Sequence, residues 1–286
     1  MTLAWRTLRH ESLERLRAAR VDDPEQEVRW IVERATGRTA AEQVAALDAV
    51  VTEREHHFVD SMVARRTAGE PLQYVLGRWG FRTLDLYVDR RVLIPRPETE
   101  VVAGLAVEAL AALDRPGIAV DLGTGSGAIA LSLAAERWPH VEVWATDRSA
   151  DALDVARANL AGLGRRASVV RLLEGDWFDA LPDDLRHRVD VLVSNPPYVA
   201  ASDPIPPEVG DWEPRAALVP GPSGLEALEH LIAEASGWLT DAGMLVLEIG
   251  ETQADAVMTM ATAAGLRAAK VHPDLAGRPR ALVARR

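Results

Sequence analysis

From residue 98 to the C-terminus, apolar positions follow two rhythms that take turns. Stretches 98–113, 126–137, 150–163, 224–239 and 252–264 carry apolar residues at helical spacing. Between them, 117–122, 141–146, 168–173, 189–194, 243–249, 266–272 and 280–284 are short and largely apolar. Such runs read as strands, and their alternation with helices predicts a mostly parallel sheet covered on both faces, a doubly wound α/β fold. Only Pro273 to Pro279 joins the last two strands, too short for a crossover, so this pair is expected to be antiparallel.

Residues 1–76 keep a different pattern, helical throughout. Asp23-Pro24 reads as an N-cap with a first-turn proline, Val28, Ile31, Val32 and Ala35 follow at helical spacing, and Gly37 closes the segment. Thr52-Glu53-Arg54-Glu55 matches a capping box, with Phe58, Val59, Met62 and Val63 assigned to one face and Gly69 at the end. Residues 77–97 form a linker in which Phe81, Leu84, Leu86 and Val88 suggest a short hairpin. The two prolines of Ile94-Pro95-Arg96-Pro97-Glu98-Thr99-Glu100 stiffen its junction with the domain spanning 98–286.

A chain of 286 residues is long enough for two domains. No stretch approaches the roughly 20 apolar residues that span a bilayer, and the charged start lacks a signal-peptide core. With no cysteine there are no disulfides, thiolate metal sites or cysteine nucleophiles, and the expected location is the cytoplasm. A net charge of -11 weighs against direct nucleic-acid binding. The seven histidines are scattered and the adjacent His56 and His57 would diverge on a helix, so no metal is expected. Gly125-Ser126-Gly127 is not a hydrolase nucleophile elbow.

The first strand of the alternating region runs into Asp121-Leu122-Gly123-Thr124-Gly125-Ser126-Gly127-Ala128. Glycines there allow a sharp turn and close approach to a ligand, and the following helix start favours a carboxylate or phosphate. Asp147 ends the next strand, where an acid can accept hydrogen bonds from ribose hydroxyls. The same spacing satisfies the dinucleotide fingerprint of nicotinamide-dependent oxidoreductases. Asp121, two residues before the first glycine, and Asp176-Trp177 after the third strand, suited to an adenine pocket, favour S-adenosylmethionine.

Ser194-Asn195-Pro196-Pro197-Tyr198 follows the buried run 189–193, at a strand end where open α/β sheets bind ligands. Prolines fix the direction of their carbonyls. With the Asn195 side chain these make an acceptor pair for an N–H₂ group, and Tyr198 offers a flat face to a planar amide or base. An amide nitrogen is a poor nucleophile, so orientation toward an electrophilic methyl matters more than a general base. Asp190 and Asp203 flank the loop without a spacing that suggests either as a base.

The chain resembles the release factor glutamine methyltransferase (HemK/PrmC) family over nearly its whole length. The resemblance rests on Gly69-Glu70-Pro71-Leu72-Gln73-Tyr74, Leu93 to Glu100, Asp121 to Gly127, Gly175-Asp176-Trp177-Phe178, Asn195 to Tyr198, Trp212-Glu213-Pro214-Arg215 and Leu247-Glu248-Ile249-Gly250. It implies a class I S-adenosylmethionine-dependent methyltransferase fold, seven strands with a terminal antiparallel hairpin, behind a small all-helical factor-docking domain. The implied activity is N5-methylation of the glutamine in the Gly-Gly-Gln motif of peptide chain release factors. Gly123, Thr124, Gly125, Ser126, Gly127, Asp147, Asp176, Trp177 and Asn195 would hold the cofactor. Asn195, Pro196, Pro197 and Tyr198 would hold the glutamine, with Asn195, Pro196 and Tyr198 taken as catalytic. The expected state is a monomer. Alternatives are a methyltransferase acting on a ribosomal protein glutamine or a nucleic-acid exocyclic amine, and, further off, an oxidoreductase or a non-catalytic interaction protein.

Overall fold

The computed structural model describes residues 3–286 and divides into two compact units. The first comprises residues 3–78 with Pro206–Trp212, and the second Trp79–Ile205 with Glu213–Arg286.

The first unit begins with α1 (Trp5–Ala18), α2 (Pro24–Thr36), α3 (Ala40–Ala45), α4 (Glu53–Thr67) and α5 (Leu72–Leu76). Their starts follow from side-chain chemistry. Asp23 accepts the Gln26 N–H, and capping boxes close at Thr39/Glu42 and Thr52/Glu55, satisfying backbone donors that have no partner within the helix. Gly37, at φ +73°, ends α2 in the left-handed region open to glycine. Trp5, Leu8, Leu16, Val28, Ile31, Val32, Val59 and Val63 form the core. Phe58 departs from the expected face and is exposed. It sits about 100° around the helix from Val59, and the i, i+4 pair Val59 and Val63 holds the buried stripe. The Arg66 guanidinium grips the Glu27 carboxylate at 2.7 and 3.1 Å, tying α4 to α2.

The second unit opens with the hairpin β1 (Trp79–Phe81) and β2 (Leu84–Leu86), which sends Phe81 and Leu86 into the core. Next come α6 (Pro97–Ala111), β3 (Gly117–Leu122), α7 (Ala128–Arg137), β4 (Val141–Asp147), α8 (Ala150–Ala161), β5 (Val170–Glu174) and β6 (Val189–Ser194). The chain continues through α9 (Pro207–Gly210), α10 (Glu226–Trp238), β7 (Leu239–Glu248), α11 (Ala254–Ala263), β8 (Arg267–Pro273) and β9 (Pro279–Arg285). The sheet order is β5-β4-β3-β6-β7-β9-β8. β3 through β7 pair in parallel, while β9 pairs antiparallel with β7 and β8, as the short connection required.

Two strand starts moved from their expected places. Residues 164–169 form a 3₁₀ turn beginning at Gly164 (φ +58°), so β5 starts later. β7 begins at Leu239, pairs there with Val189, and slips register before Met244 pairs with Val191. Asp190 is structural: it accepts the Ile118 N–H at 2.9 Å and two hydrogen bonds from Arg115. Among the described residues no helix is long and apolar enough to cross a membrane.

Candidate active site

The parallel strands β3, β4, β5 and β6 end along one edge of the sheet, which leaves a crevice for the loops that follow. A cavity of about 310 Å³ opens there, within the range of small-molecule sites. It is lined by Gly123, Thr124, Gly125, Ser126, Asp147, Asp176, Trp177, Asn195 and Pro197.

The glycine loop is held from three sides. The Gly123 and Thr124 N–H groups both donate to the Thr146 carbonyl at 2.9 Å, extending the β3–β4 ladder into the turn. Beneath the loop, Asp121 Oδ2 accepts the Thr124 hydroxyl at 2.7 Å and the Ala130 N–H at 3.0 Å. Behind it, Asn159 donates to the Ser126 carbonyl at 2.9 Å. Gly123, Gly125 and Gly127 sit at φ +74°, +56° and +85°, where a side chain is disfavoured. Burial pushes the Asp121 carboxyl up to about 7, against the pull of its two hydrogen bonds, and Oδ1 is buried without a partner.

Asp147 lies at the end of β4 with both oxygens engaged: Oδ2 by the Gly125 N–H and Oδ1 by the Ser149 N–H, each at 2.9 Å. Its pKa is raised by burial, which outweighs those two bonds. A carboxylate oxygen has two lone pairs, so each retains acceptor capacity toward the cavity. Trp177 adopts φ +46°, an uncommon conformation for a large residue, and its ring packs over Gly123. Its carbonyl accepts the Thr146 hydroxyl at 3.0 Å, which holds that backbone in place.

At the end of β6 the Asn195 side-chain N–H₂ donates to the Thr99 hydroxyl oxygen at 3.1 Å. Of the sequence-derived residues, Gly127, Pro196 and Tyr198 are not part of the cavity wall. Gly127 donates to the Thr124 carbonyl at 2.8 Å and starts α7. Tyr198 packs against the second core cluster, its hydroxyl donating to Glu248 Oε1 at 3.1 Å. Its pKa is raised, chiefly by burial and then by the Glu248 charge.

Several wall residues were not singled out from the sequence: Pro95, Thr99, Arg148, Pro214 and Glu226. Three of them, Pro95, Thr99 and Pro214, belong to segments that carried the resemblance without a stated role. Glu213 joins those segments, accepting the Ile94 N–H at 3.0 Å and pairing with Arg96. Among the described residues no cluster of His, Cys, Asp or Glu is arranged to hold a metal.

Residues 7–77 match the PrmC N-terminal domain family, and residues 101–206 match the methyltransferase small domain family. A release factor glutamine methyltransferase of Moorella thermoacetica is 42% identical over 96% of both chains. One of Xylella fastidiosa is 45% identical over 79% of this chain and 80% of its own. The chain belongs to the release factor glutamine methyltransferase family. A methyltransferase structure from Pyrococcus furiosus, 20% identical, aligns with 79% of this chain and 98% of its own at TM-score 0.50, a likeness of fold alone. The residues that match the methyltransferase small domain family, 101–206, span both the glycine loop after β3 and the proline loop after β6.

Proposed function

We propose that this protein transfers a methyl group from S-adenosylmethionine to the side-chain amide nitrogen of a glutamine in the Gly-Gly-Gln motif of a peptide chain release factor. The observation that carries the reading is the meeting, in one cavity, of the glycine loop, Asp147 and Asn195, with the Asn195 N–H₂ already committed to Thr99.

The cavity fits the cofactor on its own geometry. Three left-handed glycines bring backbone to its wall, and the Asp147 oxygens keep lone pairs for ribose hydroxyls. Asp176 and Trp177 border the region suited to a purine, by hydrogen bond and ring contact. When bound, the cofactor supplies an electrophilic methyl on a sulfonium.

The residues of this chain then act on the nucleophile. With its N–H₂ engaged, Asn195 presents Oδ1 as an acceptor, and the Pro196 carbonyl, fixed by the ring that follows, is assigned as the second from just outside the cavity wall. Two acceptors on the two amide hydrogens hold the glutamine nitrogen in line with the methyl and raise its electron density. Orientation of this quality contributes on the order of 7–11 kcal/mol. The nitrogen proton is lost once the new C–N bond has formed. Tyr198 acts from behind the wall, fixing the loop by its bond to Glu248.

We assign factor docking to the helical unit of residues 3–78, whose exposed Trp30 and Phe58 offer apolar contact on α2 and α4. A release factor substrate places the enzyme in the cytoplasm, and we take it as a monomer. The test is incubation with methyl-labelled cofactor and a release factor, then mass spectrometry of the peptide containing Gly-Gly-Gln. One added methyl on that glutamine is expected. Label on RNA, DNA or a ribosomal protein, with none on the factor, would overturn the reading.

A further inference from the structure

We propose that Gln253 is a positioning residue that latches the Tyr198 end of Asn195-Pro196-Pro197-Tyr198 to the stretch of cavity wall before α10. The proposal rests on the reading of this site as one that methylates an amide nitrogen.

The loop is poor in anchors of its own. Two of its four residues, Pro196 and Pro197, have no N–H to donate. Its place therefore depends on how its ends are held. Asn195 follows directly on β6, whose last residue, the buried Ser194, donates its hydroxyl to the Leu122 carbonyl. The Tyr198 end has left the sheet and needs another hold.

Gln253, the residue before α11, supplies it. Its Nε2 donates to the Tyr198 carbonyl at 3.0 Å and to the Gly224 carbonyl at 3.1 Å. Its Oε1 accepts the Gly250 N–H at 2.9 Å, and its backbone N–H donates to the Gly250 carbonyl at 3.0 Å. These neighbours fix which way the side-chain amide points. Turned over, it would set an oxygen against two carbonyl oxygens and hydrogens against an N–H. Gly250 lies two residues past the end of β7, so the amide hangs from the sheet.

Gly224 completes the contact from the other side. At φ +76° it lies so close to the loop that a Cβ there would meet the Tyr198 carbonyl oxygen at 2.7 Å and the Ala200 nitrogen at 2.8 Å. Val199 N–H donates to the Leu218 carbonyl at 3.0 Å, and Ala200 bridges to Gly221. Pro220, Glu226 and Ala227, around Gly224, line the same cavity as Asn195 and Pro197. One amide thus joins the end of β7, the proline loop and the wall before α10. The glycine loop and Asp147 are held separately, by Thr146, Asn159 and the Ser149 N–H.

That separation predicts a split between turnover and cofactor binding. Gln253→Leu keeps the bulk and removes every polar contact of the side chain. Its kcat for a release factor should fall about tenfold or more, as expected for a reacting group displaced by a fraction of an ångström, with the cofactor Kd within about threefold of wild type. Gln253→Glu keeps an oxygen for the Gly250 N–H. Ionised, it has no hydrogen for either carbonyl; protonated, it has one. Its rate relative to wild type should therefore rise as pH falls through the pKa of the introduced carboxyl, while the same ratio for Gln253→Leu stays flat. Gly224→Ala forces the same two segments apart by collision and should lower kcat in the same way. In the Gln253→Leu background it should add less than its own factor, because the contact it disturbs is already loosened. Wild-type kcat in Gln253→Leu, a cofactor Kd that worsens as much as kcat, a flat pH ratio for Gln253→Glu, or multiplicative losses in the double variant would each overturn the proposal. A further readout needs no substrate. In ¹⁵N–¹H spectra of the whole protein, the Gln253 side-chain N–H₂ should exchange slowly with water, and rapid exchange in wild type would refute the latch directly. Absence of methyl transfer to the factor by wild type, with a slowly exchanging Gln253 amide, would instead refute the substrate assignment.

Discussion

The Trp177 indole occupies the space that a side chain on Gly123 would need. An ideal Cβ at Gly123 would meet Trp177 Cζ3 at 3.2 Å, whereas one at Gly125 would meet nothing within 4 Å. Both glycines have positive φ, at +74° and +56°. Gly125→Ala therefore incurs only backbone strain, about 1–2 kcal/mol. Gly123→Ala incurs that strain and also displaces the ring that borders the purine region. We expect both variants to lose a comparable few degrees of Tm. Gly123→Ala should weaken S-adenosylmethionine binding, by tenfold or more in calorimetry, and Trp177→Ala should weaken it comparably. Wild-type affinity in Gly123→Ala would show that the Trp177 contact is immaterial to the cofactor.

A division of labour between the two strand-end residues follows from their partners. Asp147 is held by two backbone N–H groups and lines the cavity, so on the proposed reading Asp147→Ala removes acceptors for the cofactor. Loss of hydrogen bonds to a charged acceptor, roughly 1.5–3 kcal/mol, should raise the cofactor Kd about 10- to 100-fold. On the proposed reading, Asn195→Ala removes the acceptor that orients the nucleophile. It should reduce kcat by about 100-fold or more with a much smaller change in cofactor Kd. Single-turnover rates at saturating cofactor separate the two effects. Exchanged profiles would contradict the assignment.

The sequence made legible what depends on neighbouring residues. The Asp23 and Thr52 caps, the close of α2 at Gly37, and the antiparallel β8–β9 pair each rest on chemistry within a few positions. The glycine loop and the Asn195 loop were readable for the same reason. Features set by tertiary neighbours were not. The early start of β7 depends on Leu239 meeting Val189, and Phe58 is exposed because Val59 and Val63 already fill its helix's buried stripe. Thr99 lay inside the segment Leu93 to Glu100 that carried the resemblance but had no role assigned, since its bond with Asn195 appears only when α6 arrives beside that loop.

Glu213 connects two family segments far apart in sequence. Its side chain is 1% exposed, and among the described residues its charged partner at close range is Arg96, itself 31% exposed. Removing the cation leaves a buried carboxylate supported by the Ile94 N–H. Breaking fully buried pairs costs about 3–5 kcal/mol, and the partial exposure of Arg96 reduces this, so Arg96→Ala should destabilise by roughly 2–3 kcal/mol. Pro95 and Pro214 line the cavity beside this pair, so cofactor affinity should drop as well. Replacing both residues by a size-matched apolar pair should recover much of the stability. Denaturant titrations of the three variants test this, and an unchanged midpoint for Arg96→Ala would exclude a structural role for the pair.

Asp121 provides a test by pH. Its carboxyl titrates near 3.8 when free of the fold and is pushed up to about 7 by full burial beneath the glycine loop. The unfolded chain therefore ionises first as pH rises. The contribution of Asp121 to stability is fully present below about 4 and is lost as pH climbs through 7. Asp121→Asn has no such ionisation, and its amide oxygen can still accept from Thr124 and Ala130. Between pH 5 and pH 8 the stability difference should shift toward the asparagine variant by about 2–3 kcal/mol, at 1.36 kcal/mol per unit of pKa displacement. Urea unfolding of both proteins at the two pH values measures this. A difference that stays constant would mean that Asp121 is as readily ionised in the fold as outside it, and that the unpartnered Oδ1 is reached by water.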